Sequence, residues 1–254
     1  LIKDPCVKGM FCVPKYSNPD GITYSKEVCE RLAKMKPAAD DFRVVWDNAY
    51  CIHDLYDESD YLPNIIKEAE KYGNEDNFVM FASTSKVTFP GAGVSALCAS
   101  DRNIKMILNR MNYQIISNDK MNQLRHCNVF KNLDDLKAHM KKHAQILRPK
   151  FETVLDILEE ELGGLGIASW HKPRGGYFIS LNVDEGSASY VGKLCKEAGL
   201  TLTTVGATFP YGKDPDDRNI RIAPSFPSVD DLKLCAKLLC IGVKLAAAEE
   251  YLNK

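Results

Sequence analysis

The sequence predicts an α/β protein in two parts. A mainly parallel sheet belongs to an incomplete large domain over residues 1–145, and a small α+β domain follows over 146–254. Three observations predict this. Apolar, β-prone runs alternate with helical patterns as far as Ala99, one long helical pattern runs from Leu133 to Leu162, and short strand patterns with an intervening helix fill the remainder.

In chain order, Val7 to Val13 reads as a short strand ended by Pro14. The turn formers Tyr16-Ser-Asn-Pro-Asp-Gly21 follow, so Asn18 is expected at that strand's carboxyl end. Thr23-Tyr-Ser25 caps a helix expected to reach about Lys36, where Pro37 stops it. Phe42 to Trp46 is a buried strand that delivers Asp47-Asn-Ala-Tyr50. A helix over Tyr61 to Tyr72 and a strand over Phe78 to Ala82 repeat the unit. Ser83-Thr-Ser-Lys86 and the glycine-rich Pro90-Gly-Ala-Gly93 then form a loop before a strand at Val94 to Ala99.

Leu136, Met140, Leu147, Phe151, Val154, Leu155 and Leu158 lie on one face of the long helix, which is expected to break or kink near Pro149 and to close at Gly163-Gly164. Beyond it, Ala168 to Trp170, Gly176 to Leu181, Thr201 to Val205 and Asn219 to Ala223 read as strands. A helix at Val191 to Ala198 separates them, and a last helix is capped at Ser228-x-x-Asp231.

Composition excludes several classes. A formal net charge of -1 without a basic stripe argues against nucleic acid or an anionic membrane as partner and leaves a small polar metabolite. Nine cysteines, mostly in apolar segments and without Cys-x-x-Cys, read as reduced thiols of a cytoplasmic protein, not as a disulfide frame or zinc site. His139 and His143 have metal spacing but lie among lysines, which reads as a solvated helix face, and no metal is expected. No apolar run spans a bilayer, because Lys244 interrupts Leu238 to Ala248. The start, Leu1-Ile-Lys-Asp-Pro-Cys6, has neither an initiator methionine nor a signal layout, so the chain is expected to be part of something longer.

Lys86 is the centre of the functional reading. A lysine at the mouth of a polar turn, flanked by hydroxyls and partly desolvated, has a lowered pKa and can form a Schiff base with an aldehyde. Taken singly, Ser-x-Ser-Lys also fits a solvated loop lysine, Asn-Pro-Asp-Gly is a common turn, and Asp-Asn after a strand is a common cap. Taken together, the polar clusters at Asn18, Asp47 with Tyr50, and Ser83 with Ser85 and Lys86 follow successive strands. In an open α/β sheet, ligands bind at the strands' carboxyl ends. Arg221 stands alone in the apolar run Asn219-Ile-Arg-Ile-Ala223 and needs an anion, either a ligand carboxylate or a structural protein acid.

Asn18-Pro-x-Gly21, Asp47-x-Ala-Tyr50 and Ser83-x-Ser-Lys86 with Pro90-Gly91 resemble the pyridoxal-phosphate aminotransferases of fold type I. Within these, the chain is similar to the aspartate-aminotransferase-like set related to the MocR type, sometimes labelled alanine–glyoxylate aminotransferases. The resemblance implies pyridoxal 5'-phosphate as cofactor, Lys86 as its anchor and proton carrier, and Asp47 on the pyridine nitrogen. It places Tyr50 and Asn18 on the ring's phenolate oxygen, Ser83 and Ser85 near the phosphate, and Arg221 on the substrate's α-carboxylate. It further implies aspartate or glutamate with 2-oxoglutarate as substrates and a homodimer. A lyase or decarboxylase on the same fold, or a cofactor-binding effector domain of a transcription regulator, are the alternatives.

The match departs from the family in two places. Relatives carry an arginine after Pro-Gly in the lysine loop that clamps the phosphate, and Gly93 stands there instead. The small-residue phosphate loop and the stacked aromatic that precede Asn-Pro-x-Gly in the family are absent. The chain is therefore expected to be a C-terminal fragment of a protein ~150 residues longer, and to bind the cofactor weakly in isolation.

Overall fold

The computed structural model describes residues 1–252; the last two positions of the expected 146–254 domain lie outside the described residues. The chain divides into two compact units. The first comprises Leu1–Lys15, Thr23–Ile52 and Ser59–Met140; the second comprises Tyr16–Ile22, His53–Glu58 and Lys141 onward.

The first unit is built on a four-stranded sheet of β1 (Gly9–Cys12), β2 (Arg43–Asp47), β3 (Phe78–Ser83) and β4 (Ser95–Ala99), in that spatial order. The first three strands are parallel and β4 runs antiparallel to β3, with Asp47 opposite Phe81 and Ser83 opposite Ser95. The crossovers are helices α1 (Lys26–Ala33) and α2 (Ile65–Glu70). Ser25 caps α1 by accepting from the Val28 amide, and Asn64 caps α2 by accepting from Ile66 and Lys67.

Period-two alternation along β2 turns Val44 and Trp46 inward, where they meet Cys29 and Ala33 of α1, Ile65 and Ala69 of α2, and Phe42 and Phe78. Each of the large side chains is worth ~1.5–3 kcal/mol of burial. Both helices are shorter than expected. α1 gives way at Lys34 because Pro37 disfavours helical backbone just before it, and α2 starts only after Pro63.

Two helices that the sequence pattern did not disclose follow β4: α3 (Asp101–Gln114), capped by Ser100, and α4 (Lys120–Val129), capped by Asp119. Helix α5 (Leu133–Leu162) has the expected bounds and stays helical through Pro149; the division between the units falls within it.

The second unit packs the later part of α5, α6 (Ala188–Glu197) and α7 (Val229–Leu252) with an antiparallel sheet of β5 (Ala168–Trp170), β6 (Ile179–Val183) and β7 (Asn219–Ile222), ordered β5-β6-β7. Phe151, Leu158, Ile179, Leu181, Val191, Ile220, Leu239 and Val243 share one core. Two strand expectations are corrected. Residues 201–205 form no strand; Leu202 and Val205 pack against the core without a backbone ladder. The strand expected from Gly176 begins at Ile179, because Gly175 and Gly176 are pressed against Tyr16, and a Cβ on Gly175 would meet its ring.

Tyr16, fully buried at φ 47, donates its hydroxyl to Asp54 at 2.5 Å, and Asp54 bridges to Gly175. The Leu55 carbonyl accepts from Arg148 Nε at 2.7 Å. These bonds tie the two short excursions of the chain into the second unit.

Candidate active site

In the first unit β2 ends at Asp47, which is half-buried, and the next amide, Asn48, donates to the Phe81 carbonyl at 2.8 Å. The following turn brings back Tyr50, which is buried. Lys86 Nζ lies over the Tyr50 ring, 5.2 Å from its centroid. A cation above an aromatic face is held there by the ring quadrupole. The side chain of Lys86 is exposed, not desolvated as expected, because the β3–β4 loop carries it outward while its neighbour Val87 takes the buried position.

At the end of β3, Ser83 Oγ and Ser85 Oγ are 2.7 Å apart, and the Ser85 amide also donates to Ser83 Oγ at 3.1 Å. Two hydroxyls bonded to each other use one proton between them, which leaves the other to donate outward. At position 93, where the resemblance led to an expected arginine, a Cβ would stand 2.5 Å from Ser85 Oγ and 2.9 Å from Ser85 N. The loop closes so tightly on Ser85 that position 93 has no room for any side chain.

In the second unit Arg221 sits on β7 opposite Ser180. Its guanidinium lies over Phe178, 4.6 Å from the ring centroid, and donates through one terminal nitrogen to Asn18 Oδ1 at 3.0 Å. Arg221 Nε is buried without a hydrogen-bond partner. The partner of this arginine is an amide and not a protein carboxylate, so the fork keeps its capacity for an anion. Asn18 is held by the tight loop in which the Ser17 carbonyl accepts from Gly21 and the Ser17 amide donates to Ile22. Gly21 adopts φ 68, and Pro173 Cβ lies 2.7 Å from where its side chain would begin.

The structure places Asp47, Tyr50, Ser83, Ser85 and Lys86 in the first unit, and Asn18 beside Arg221 in the second. Asn18 does not cap the carboxyl end of β1, which stops at Cys12; the buried Tyr16 carries the turn into the second unit. The reading of His139 as a solvated face is also corrected, because its Nε2 donates to the Val87 carbonyl at 2.9 Å and its ring meets Phe130 edge-on. Among the described residues no group of histidine, cysteine, aspartate or glutamate is arranged to hold a metal ion, and no helix is long and apolar enough to cross a membrane.

Comparison with known proteins follows the same direction. The family model described as aspartate amino-transferase matches residues 1–254. An aspartate aminotransferase of Corynebacterium glutamicum is 46% identical over 253 residues, covering 100% of this chain and 59% of the relative. A Mycolicibacterium smegmatis relative, whose name gives the aminotransferase class and no substrate, is 48% identical with the same coverage. The chain therefore spans about 59% of the length of the curated relatives it matches. The crystal structure of an aspartate transaminase from Corynebacterium glutamicum superposes with a TM-score of 0.96 at 46% identity, over 98% of this chain and 59% of that one.

Proposed function

The chain belongs to the aspartate amino-transferase family, and on that premise we propose that its protein moves an amino group between an amino acid, aspartate or glutamate, and a 2-oxo acid such as 2-oxoglutarate. The cofactor in this proposal is pyridoxal 5'-phosphate, which when bound supplies the electron sink for the substrate's α-carbon. Residues 1–145 serve as the C-terminal part of a larger cofactor-binding domain and 146–254 as the small domain. Work in the cytoplasm, where nine free cysteines stay reduced, and as a homodimer belongs to the same proposal.

The observation that carries this reading is Arg221. A guanidinium in an apolar strand, with Nε buried and unpartnered and with no acid paired to it among the described residues, is costly unless a carboxylate comes to it. Amino acids and 2-oxo acids share that carboxylate, and Arg221 binds it as a fork while Asn18 fixes the guanidinium's rotation.

The first-unit residues have the chemistry that the cofactor needs. Lys86 Nζ would hold the cofactor's aldehyde until the substrate's amine takes its place, and the freed lysine amine would then carry the proton taken from the substrate's α-carbon. Asp47 keeps the pyridine nitrogen protonated, because a carboxylate beside it favours the charged ring. Tyr50 hydrogen-bonds the ring's phenolate oxygen. Ser83 and Ser85 donate to the phosphate, and with position 93 closed to an arginine their hydroxyls and neighbouring backbone amides carry more of that work.

The test uses the full-length protein that contains this chain, with pyridoxal phosphate, nitrogen-labelled aspartate and 2-oxoglutarate. Label in glutamate, lost in Lys86→Ala, is the expected result. Pyruvate and ammonia released from one amino acid without any oxo acid would instead establish a lyase.

A further inference from the structure

Helix α4 docks by its polar side. Its inward positions are Asn122 and His126, one helical turn apart, while Met121, Leu124 and Val129 are 70%, 54% and 63% exposed. A surface helix ordinarily buries an apolar stripe. Here hydrogen bonds to the β3–β4 loop take that place.

Asn122, which is buried, donates through Nδ2 to the Ala92 carbonyl at 2.7 Å and reaches the Gly93 carbonyl at 3.4 Å. His126 Nδ1 lies 2.9 Å from the Asn122 carbonyl, which can only accept, so the ring proton sits on Nδ1. Nε2 then offers its lone pair to Thr88 Oγ1 at 2.8 Å and Thr84 Oγ1 at 3.2 Å. Thr84 Oγ1 also accepts from the Val94 amide at 2.8 Å, which closes the loop on itself. Lys86 lies midway between these threonines, and His139 of α5 holds the carbonyl of the next residue, Val87.

A loop whose lysine is exposed and whose buried apolar anchor is Val87 has little burial to offset the entropy of its ordering. The bonds from α4 supply that order. Resting on the reading of Lys86 given above, we propose that His126, as the Nδ1–H tautomer, and Asn122 are positioning residues that hold the Lys86 loop in the conformation from which the lysine amine reacts.

The test is the rate at which pyridoxal phosphate labels Lys86 in the full-length protein that contains this chain, trapped with borohydride and mapped by mass spectrometry, so the readout does not depend on turnover. His126→Leu removes the acceptor and lowers that rate about tenfold, as loss of a part-buried hydrogen bond does. His126→Gln restores it to within about twofold, because the Gln carbonyl oxygen can accept where Nε2 does. Thr88→Val, which keeps shape and removes the donor, repeats the loss, and the double variant is no slower than either single one. Circular dichroism at the labelling temperature establishes that each variant is folded, and Thr88→Val decides the matter if His126→Leu is not.

Wild-type rates in both His126→Leu and Thr88→Val overturn the proposal. So does His126→Gln as slow as His126→Leu, which would make the ring's volume the operative property. An unlabelled Lys86 in the wild-type protein overturns the reading of Lys86 itself, and the positioning role falls with it.

Discussion

Arg221 donates to Asn18 Oδ1 at 3.0 Å while its Nε stays buried and unpartnered. An amide oxygen orients the guanidinium without neutralising it, and in the function proposed above a substrate carboxylate supplies the missing charge. Arg221→Lys keeps one charge and loses the planar fork. It is expected to raise the KM for both the amino acid and the oxo acid roughly 10- to 100-fold, the range for losing one charge-assisted hydrogen bond, with a smaller change in kcat. Steady-state kinetics with each substrate varied in turn decide it; an unchanged KM for both would remove Arg221 from substrate binding.

Asp47 ends β2 with its backbone fixed by pairing to β3. A carboxylate that keeps the ring nitrogen charged acts on the transition state more than on the bound cofactor. Asp47→Ala is expected to lower kcat about 100- to 1,000-fold. Retention of pyridoxal phosphate through gel filtration should fall much less. Loss of cofactor with normal turnover at saturating cofactor would reverse that assignment.

Gly93 faces Ser85 so closely that even a methyl group collides with its backbone. The Ser85 amide and Cα cannot retreat without moving the Ser83 and Ser85 hydroxyls. Gly93→Ala is expected to cost ~1–3 kcal/mol by overpacking and to lower the Tm by several degrees. Gly93→Arg should not restore a phosphate clamp, because the collision begins at Cβ. Thermal melts of both variants, with and without pyridoxal phosphate, give the answer.

Much of this architecture can be read from residue order. Alternation at Phe42 to Trp46 and the Ser25 cap announce a helix–strand repeat, and the apolar face running from Leu136 to Leu158 marks α5 from end to end. The clusters around Asp47 and Lys86 follow, since strand ends in such a sheet carry the site. What stays hidden depends on hydrogen bonds between distant residues. Helix α4 lacks an inward apolar stripe, so periodicity passes over it, and with it Asn122 and His126. Asn18 joins the second unit because Tyr16 reaches Asp54, a pairing that no local spacing encodes. Thr201 to Val205 is rich in β-branched residues like a strand, yet β6 already has β5 and β7 on its two edges.

Asp214 organises the turn that leads into β7, the strand of Arg221. Burial pushes its carboxyl pKa up, but the amides of Asn219, Arg218 and Asp216, donating at 2.8, 2.9 and 3.1 Å, more than offset this and hold it below the usual carboxylate range. A carboxyl whose pKa is lower in the folded protein stabilises it above the unfolded value of about 3.9. That contribution is lost as pH falls through the folded value. Asp214→Asn keeps an acceptor and loses the charge. The stability gap between wild type and Asp214→Asn, from urea titrations at several pH values, should therefore be constant above about pH 5 and close at lower pH. A gap that stays constant down to pH ~3 would mean that the amides are bound by shape alone and that the charge of Asp214 contributes nothing to the turn.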